Sequence, residues 1–203
     1  MSTALIVFAK APVAGLVKTR LIPALGADGA ARLARRLLDH ALRQAGGLPV
    51  EHWELCVSPE TRHPAFEQAV SDAGGRLRLT LQGEGDLGER MHRALGRTLA
   101  THRRALLIGT DAPAITSATL RDAEEALERR EAVCVPALDG GYALVGLIRP
   151  LPALFHGMPW STPRVMAETR ARARQAGVEW VELEPVADID EPPDLVHLPE
   201  AWR

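Results

Sequence analysis

Three cations crowd one loop near the start of this 203-residue chain. They are Lys10, Lys18 and Arg20, in Lys10-Ala11-Pro12-Val13-Ala14-Gly15-Leu16-Val17-Lys18-Thr19-Arg20-Leu21. Phosphates need this kind of setting, with backbone amides for geometry and Lys or Arg for charge. Gly15 permits a tight backbone path. The segment is not a Walker P-loop, because Val17 rather than Gly precedes Lys18-Thr19, and it is not a dinucleotide GxGxxG either. A solvated basic loop is the commoner meaning of a charge cluster. The buried-strand pattern just before this one favours phosphate binding.

Carboxylates recur at comparable places. Asp111 follows the apolar run 105–108 in Ile108-Gly109-Thr110-Asp111-Ala112-Pro113. Mg²⁺ is held by one or two carboxylates plus substrate phosphates, so a single Asp there can serve. A turn or helix-capping Asp before Pro113 is the equally simple alternative. Asp188 and Asp190 lie in an acidic loop, Ala187 to Asp194, and share a side if the chain is extended. Such a run is usually a solvated tail, but two carboxylates on one side can complete a metal site.

Three further segments carry turn chemistry. Gly83-Glu84-Gly85-Asp86-Leu87-Gly88-Glu89-Arg90 precedes a helical pattern, where a helix N-terminus can receive a phosphate or sugar hydroxyl. Its plainer reading is a flexible turn with Asp86 as N-cap. Asp139-Gly140-Gly141-Tyr142 permits a hairpin turn or close approach of a ligand to backbone. Met158-Pro159-Trp160-Ser161-Thr162-Pro163 places Trp160 in the core and Thr162 as a cap, in a loop that could line an acceptor pocket. Neither the seven histidines nor Cys56 and Cys134 have metal-site spacing, and both cysteines fall inside strand patterns as inert core thiols.

The elements that must position these residues alternate. Strands are expected at 4–9, 53–57, 77–81, 105–109, 133–135, 142–147 and 178–183. Helices are expected at about 28–44, 64–73, 87–102, 117–130 and from Thr162-Pro163 to 176, the last with Pro163 in its first turn. Beyond Asp190 the proline-rich chain reads as irregular, with Trp202 exposed. The alternation predicts one three-layer α/β/α domain with a mostly parallel sheet. In such sheets ligands sit at the carboxyl ends of the strands, which directs attention to the loops after Phe8, Ile108, Val135 and Leu183.

A net charge of −2, only eight aromatic residues and no basic face argue against nucleic acid as a partner. No apolar run approaches the roughly 20 residues of a membrane helix. The first residues lack the basic region of a signal peptide, so a cytoplasmic protein with no membrane partner is expected.

Taken in order, Phe8-Ala9-Lys10-Ala11-Pro12 with Gly15 to Leu21, Gly85 to Met91, Gly109 to Pro113, Asp139 to Tyr142, Pro159 to Thr162 and Asp188-Ile189-Asp190 resemble a known family. It is the transferases associated with radical-SAM and selenium-type domains, some described as arsenosugar-biosynthesis glycosyltransferases. The family belongs to the GT-A, or nucleotide-diphospho-sugar transferase, superfamily and is related to phospholactate guanylyltransferase. The resemblance covers residues 4 to about 195 and implies a GT-A fold, a nucleotide or nucleotide-sugar donor, a small-molecule acceptor, Mg²⁺ (or Mn²⁺), and a possible homodimer.

The resemblance also implies roles. Ala9, Lys10, Pro12, Gly15, Lys18, Thr19 and Arg20 would wrap the nucleotide, with the three cations on its phosphates, and Gly85 and Asp86 would assist. Lys18 and Asp111 would be catalytic. Asp111 would bind the metal, with Asp188 or Asp190 as the second ligand. Asp139, Gly140, Gly141, Trp160, Ser161 and Thr162 would face the acceptor. One departure matters: the family's glycosyltransferase cousins carry Asp-x-Asp, and here Pro113 stands at the second position. A lone Asp with a later carboxylate resembles nucleotidyltransferases of this fold, without excluding sugar transfer. The alternative is a non-catalytic nucleotide-binding module partnering a redox or radical enzyme.

Overall fold

The computed structural model describes residues 2–202. Its elements run β1 (Thr3–Lys10), α1 (Ile22–Gly46), β2 (His52–Ser58), α2 (Pro64–Asp72), β3 (Leu77–Leu81), α3 (Leu87–Leu99), β4 (Arg104–Ile108), α4 (Ser117–Ala126), β5 (Ala132–Pro136), β6 (Tyr142–Leu147), α5 (Val165–Gln175) and β7 (Trp180–Glu182). Among the described residues these strands form one seven-stranded sheet in the order β3-β2-β1-β4-β6-β5-β7. All neighbours pair in parallel except β6, which runs antiparallel between β4 and β5. The three-layer, mostly parallel α/β fold expected from the alternation is the observed one.

The apolar runs explain the layers. Every residue of β1 but Lys10 is buried, because the strand lies mid-sheet with helices on both faces. Leu5, Val7, Leu55, Val57, Leu106 and Ile108 face one way and pack under α1, α2 and α4. Ile6, Phe8, Cys56, Leu107 and Val145 face the other way, under Met91 and Leu95 of α3 and Ala173 of α5. Burial pushes both thiols up from their ordinary range, in keeping with the inert core residues expected.

Two local expectations are corrected. The long helix expected from about Asp28 is present and runs on to Gly46; α1 is counted from Ile22 because a short turn opened by Pro23 precedes it, set off by a kink at Gly26 (φ 70°). Helix α5 begins at Val165, so Thr162-Pro163 does not open it; the Thr162 hydroxyl donates instead to the Pro159 carbonyl at 2.7 Å. The tail is not irregular throughout. It makes 3₁₀ turns at Pro192–His197 and Glu200–Trp202, and Trp202 lies against α1, with the Arg36 guanidinium 4.6 Å above its ring and the His40 ring edge-on to it.

One buried carboxylate lies within the frame. Glu54 of β2 is 1% exposed and accepts from Arg97, from the Thr80 hydroxyl at 2.5 Å and from His52 at 3.1 Å. Glu54→Ala leaves these donors unanswered and opens a cavity. Because Arg97 can still turn to solvent, the expected cost is about 2 kcal/mol, below the usual range for breaking a buried pair. Urea denaturation checks it, as a lower midpoint at unchanged m-value.

Candidate functional site

The loops at the carboxyl ends of β1, β4, β5 and β7 meet along one edge of the sheet. The β1 loop is folded by its own backbone: Leu16 and Val17 amides donate to the Val13 carbonyl at 3.0 and 3.1 Å, and Gly15 sits at φ 81°. Val17 is buried and anchors the turn. Lys18 follows at φ 48°, a left-handed conformation that only Ser161 shares among the described non-glycine residues. Such backbone costs about 1 kcal/mol and persists where the surroundings enforce it. Here the enforcement comes from the Lys18 side chain, which is 4% exposed and points inward.

Its ammonium stitches three loops together. It lies 2.7 Å from Asp111 Oδ1, donates to the Ile189 carbonyl at 2.5 Å, and is 3.8 Å from Asp190 Oδ1. The Ile189 amide returns to the Asp111 carbonyl at 2.8 Å, so the β7 loop is sewn onto the β4 loop. Arg20 pairs with Asp190 Oδ2 at 2.7 Å and stays mostly exposed. Asp194 accepts from the Asp190 and Glu191 amides at 3.0 and 2.7 Å and fixes the turn beyond.

Asp188 lies deeper. Burial first, then the charge of Asp139, push its carboxyl up to about 6; Asp194 adds to this, and its own backbone hydrogen bond and Lys18 oppose it. Asp139 reaches this neighbourhood because the β5–β6 hairpin is tied to the β7 loop, with Leu138 N donating to Val186 O at 3.0 Å. The structure therefore brings together Lys18, Arg20, Asp111, Asp139, Asp188 and Asp190.

A sequence profile described as "Uncharacterized protein conserved in bacteria (DUF2064)" matches residues 25–162. The chain belongs to this family. No functionally curated protein matches the sequence. Among solved structures, a candidate nucleotide-diphospho-sugar transferase from Desulfovibrio desulfuricans G20 is 31% identical; the match covers 96% of this chain and 85% of that one, with a TM-score of 0.86. The inositol-1-phosphate CTP transferase of T. maritima superposes at 0.64 with 14% identity, covering 100% and 93%. The glucosyl-3-phosphoglycerate synthase of Mycobacterium tuberculosis, solved with Mn²⁺ and UDP, superposes at 0.58 with 12% identity, covering 96% and 74%. The DUF2064 chain thus has the fold of nucleotide-diphospho-sugar transferases and nucleotidyltransferases.

The remaining expected residues of the DUF2064 protein lie around this cluster. Lys10 is exposed and donates to the Leu16 carbonyl at 2.6 Å, closing the β1 loop. Thr19 is exposed, Pro12 is half-buried, and the Ala9 carbonyl accepts from Gln82 at 3.2 Å. Asp86 does cap α3, in a reciprocal capping box with Glu89, and Gly85 precedes it at φ 102°. Gln82 is the residue the sequence reading missed. Buried at the end of β3, it also donates to the Cys56 carbonyl at 3.1 Å and accepts from Arg90 at 3.1 Å, so it ties the α3 entrance to β1 and β2. A lone amide directly after a strand was its only signal.

On the far side, Trp160 packs against Gly88 of α3, where a Cβ would meet the indole at 2.5 Å, and stands edge-on to Tyr142 at 6.2 Å. Gly140 presses against the Pro163 backbone, and the Met166 amide donates to the Gly140 carbonyl at 2.7 Å. Gly141 N donates to Asp139 Oδ1 at 2.7 Å. Ser161 is exposed at φ 60°. The hairpin and the 160–163 segment therefore form one wall beside the acidic cluster.

Among the described residues no group of three or more His, Cys, Asp or Glu side chains surrounds a metal position. The donor set nonetheless fits a hard divalent ion bound together with phosphates. Asp111 and Asp190 both turn toward one cationic point, the Lys18 ammonium, and their side chains are 50% and 38% exposed. Two carboxylates with substrate oxygens filling the remaining positions is the usual Mg²⁺ arrangement.

Proposed function

We propose that this protein is a divalent-metal-dependent transferase that uses a nucleotide donor, and that it moves a nucleotidyl group from an NTP to a phosphorylated small molecule. The observation carrying this reading is the meeting of a lone Asp111 with Asp190 and Asp188 from the β7 loop, beside a basic loop, at the carboxyl edge of the sheet. Asp111, with Asp188 or Asp190, would hold Mg²⁺ or Mn²⁺. When bound, the metal neutralises charge on the donor phosphates and leaving group. Lys10 and Arg20, both exposed, supply further positive charge along the phosphates. Gly85 and Asp86 border the nucleotide, and Asp139, Gly140, Gly141 and the 160–162 segment face the acceptor. An acceptor phosphate oxygen attacks the α-phosphorus in line, the bond to pyrophosphate breaks, and pyrophosphate leaves.

Glycosyl transfer from an NDP-sugar is the second reading, favoured by the 31%-identical relative described as a nucleotide-diphospho-sugar transferase. It needs the same cation clamp, because a nucleoside diphosphate leaves. The order of motifs also supports placing the protein in the branch that accompanies radical-SAM and selenium-type domains.

Thermal melting with ATP, GTP, CTP, UTP, UDP-glucose or GDP-mannose, each with Mg²⁺ or EDTA, tests the proposal. Ligand at a hundred times its Kd stabilises by about 2.7 kcal/mol. A clear Mg²⁺-dependent rise in Tm with one NTP is expected. A rise only with an NDP-sugar moves the assignment to glycosyl transfer. Binding with no turnover across donors and acceptors moves it to a non-catalytic module, and no shift with any ligand overturns it.

A further inference from the structure

The chain has 24 basic residues; 22 are arginine, and the only two lysines are Lys10 and Lys18. Both lie in the β1 loop, and they do different things. Lys10 is exposed and closes the loop on itself. Lys18 is buried, holds a left-handed backbone, and sends its ammonium among oxygen atoms from two other loops. Those oxygens are Asp111 Oδ1, the Ile189 carbonyl and Asp190 Oδ1. A compact ammonium with three donors fits such a cluster of oxygens. A planar guanidinium with a fixed fork does not. The need for a point charge explains a lysine here in a chain whose basic residues are arginine at all but two positions.

We propose that Lys18 is the resident counter-cation of the carboxylate cluster and competes with the divalent ion for it, rather than serving as a phosphate ligand. Without a divalent ion, Asp111 and Asp190 would repel each other at the mouth of the site. Lys18 neutralises Asp111 at 2.7 Å, shares Asp190 with Arg20, and keeps the β1, β4 and β7 loops assembled. A divalent ion arriving with its phosphates draws on the same carboxylates, and the ammonium must yield to it. The exposed Lys10 is left to meet the phosphates, and Arg20 joins it once Asp190, now 2.7 Å from its guanidinium, turns to the ion. This inference rests on the reading that a divalent ion uses Asp111 and its neighbours. It reassigns Lys18 from the phosphate-binding role that family resemblance implies.

The test is Mn²⁺ binding in the absence of nucleotide, followed by the electron paramagnetic resonance of free Mn²⁺, for the full chain and for Lys18→Met. The expected result is that Lys18→Met binds Mn²⁺ at least about tenfold more tightly, because the competing charge is gone. Unchanged or weaker binding, or no Mn²⁺ binding by either protein, overturns the proposal. Circular dichroism checks that the variant is folded.

A second measurement needs no variant. Acetylation of the wild-type protein, read by mass spectrometry, should modify Lys10 quickly and Lys18 slowly, and Mn²⁺ should raise the Lys18 rate about threefold or more while leaving Lys10 unchanged. A Lys18 rate indifferent to Mn²⁺ overturns the proposal. Neither experiment uses a nucleotide. Tighter Mn²⁺ binding by Lys18→Met with no nucleotide bound by the wild type would therefore sink the proposed function and leave this inference standing.

Discussion

Asn in place of Asp111 is expected to lower turnover by about a thousandfold or more while leaving the fold intact. A metal that stabilises charge on a leaving phosphate is worth several kcal/mol, and every 1.4 kcal/mol is a factor of ten in rate. Asn suits the test better than Ala. Lys18 is buried against Asp111 Oδ1 at 2.7 Å, and an Ala would leave that ammonium with the Ile189 carbonyl at 2.5 Å and the more distant Asp190 Oδ1 at 3.8 Å. Asn keeps an oxygen for Lys18 and for the Thr110 hydroxyl at 3.3 Å, and removes only the charge. Its melting temperature should stay within a few degrees of wild type, and the Mg²⁺-dependent part of any nucleotide-induced shift should vanish. A variant with full turnover would remove Asp111 from the metal site. A variant that has unfolded would show instead that the Lys18–Asp111 pair is chiefly structural.

Much of this edge was legible in the sequence because it depends on position along strands. Buried parallel strands read as continuous apolar runs, and the residue that follows one must emerge at the carboxyl edge. That logic placed Asp111 after 105–108 and the basic loop after 4–9, and both lie at that edge. It could not place the ends of the side chains. The partner that buries Lys18 lies 171 residues later, at Ile189, and nothing local marks the left-handed turn that aims the ammonium inward. Expectations built from local capping chemistry fared less evenly. Asp86 caps its helix, whereas Thr162 turned to the Pro159 carbonyl and the helix waited until Val165. The competing bond came from a loop bent by Pro159 and Ser161, which capping rules do not weigh. The antiparallel β6 was legible as half of a hairpin but not as the strand inserted between β4 and β5, because strand order is decided by packing across the whole sheet.

Gly140→Ala is expected to cost about 3 kcal/mol of stability and to reduce turnover as well. Two effects combine. At φ 92°, Gly140 holds a backbone conformation that an L side chain rarely adopts, a strain of about 1–3 kcal/mol. A Cβ there would also stand 2.3 Å from the Pro163 carbonyl oxygen and 2.6 Å from its Cα. These are backbone atoms, so no rotamer change relieves the contact, and overpacking of this kind adds roughly 1–3 kcal/mol. The chain would relax by lifting the β5–β6 hairpin from the 160–163 segment and stretching the 2.7 Å bond from Met166 N to Gly140 O. Asp139, fixed by Gly141 N at 2.7 Å, would move with it, away from Asp188. Gly74 serves as the control. It also has a positive φ, 58°, but a Cβ there meets nothing within 4 Å, so Gly74→Ala carries strain without collision. Thermal and urea unfolding should rank Gly140→Ala well below Gly74→Ala, and only Gly140→Ala should impair turnover. Equal losses at the two positions would mean that backbone strain alone sets the cost, and that close packing of the hairpin on Pro163 does not shape the proposed acceptor wall.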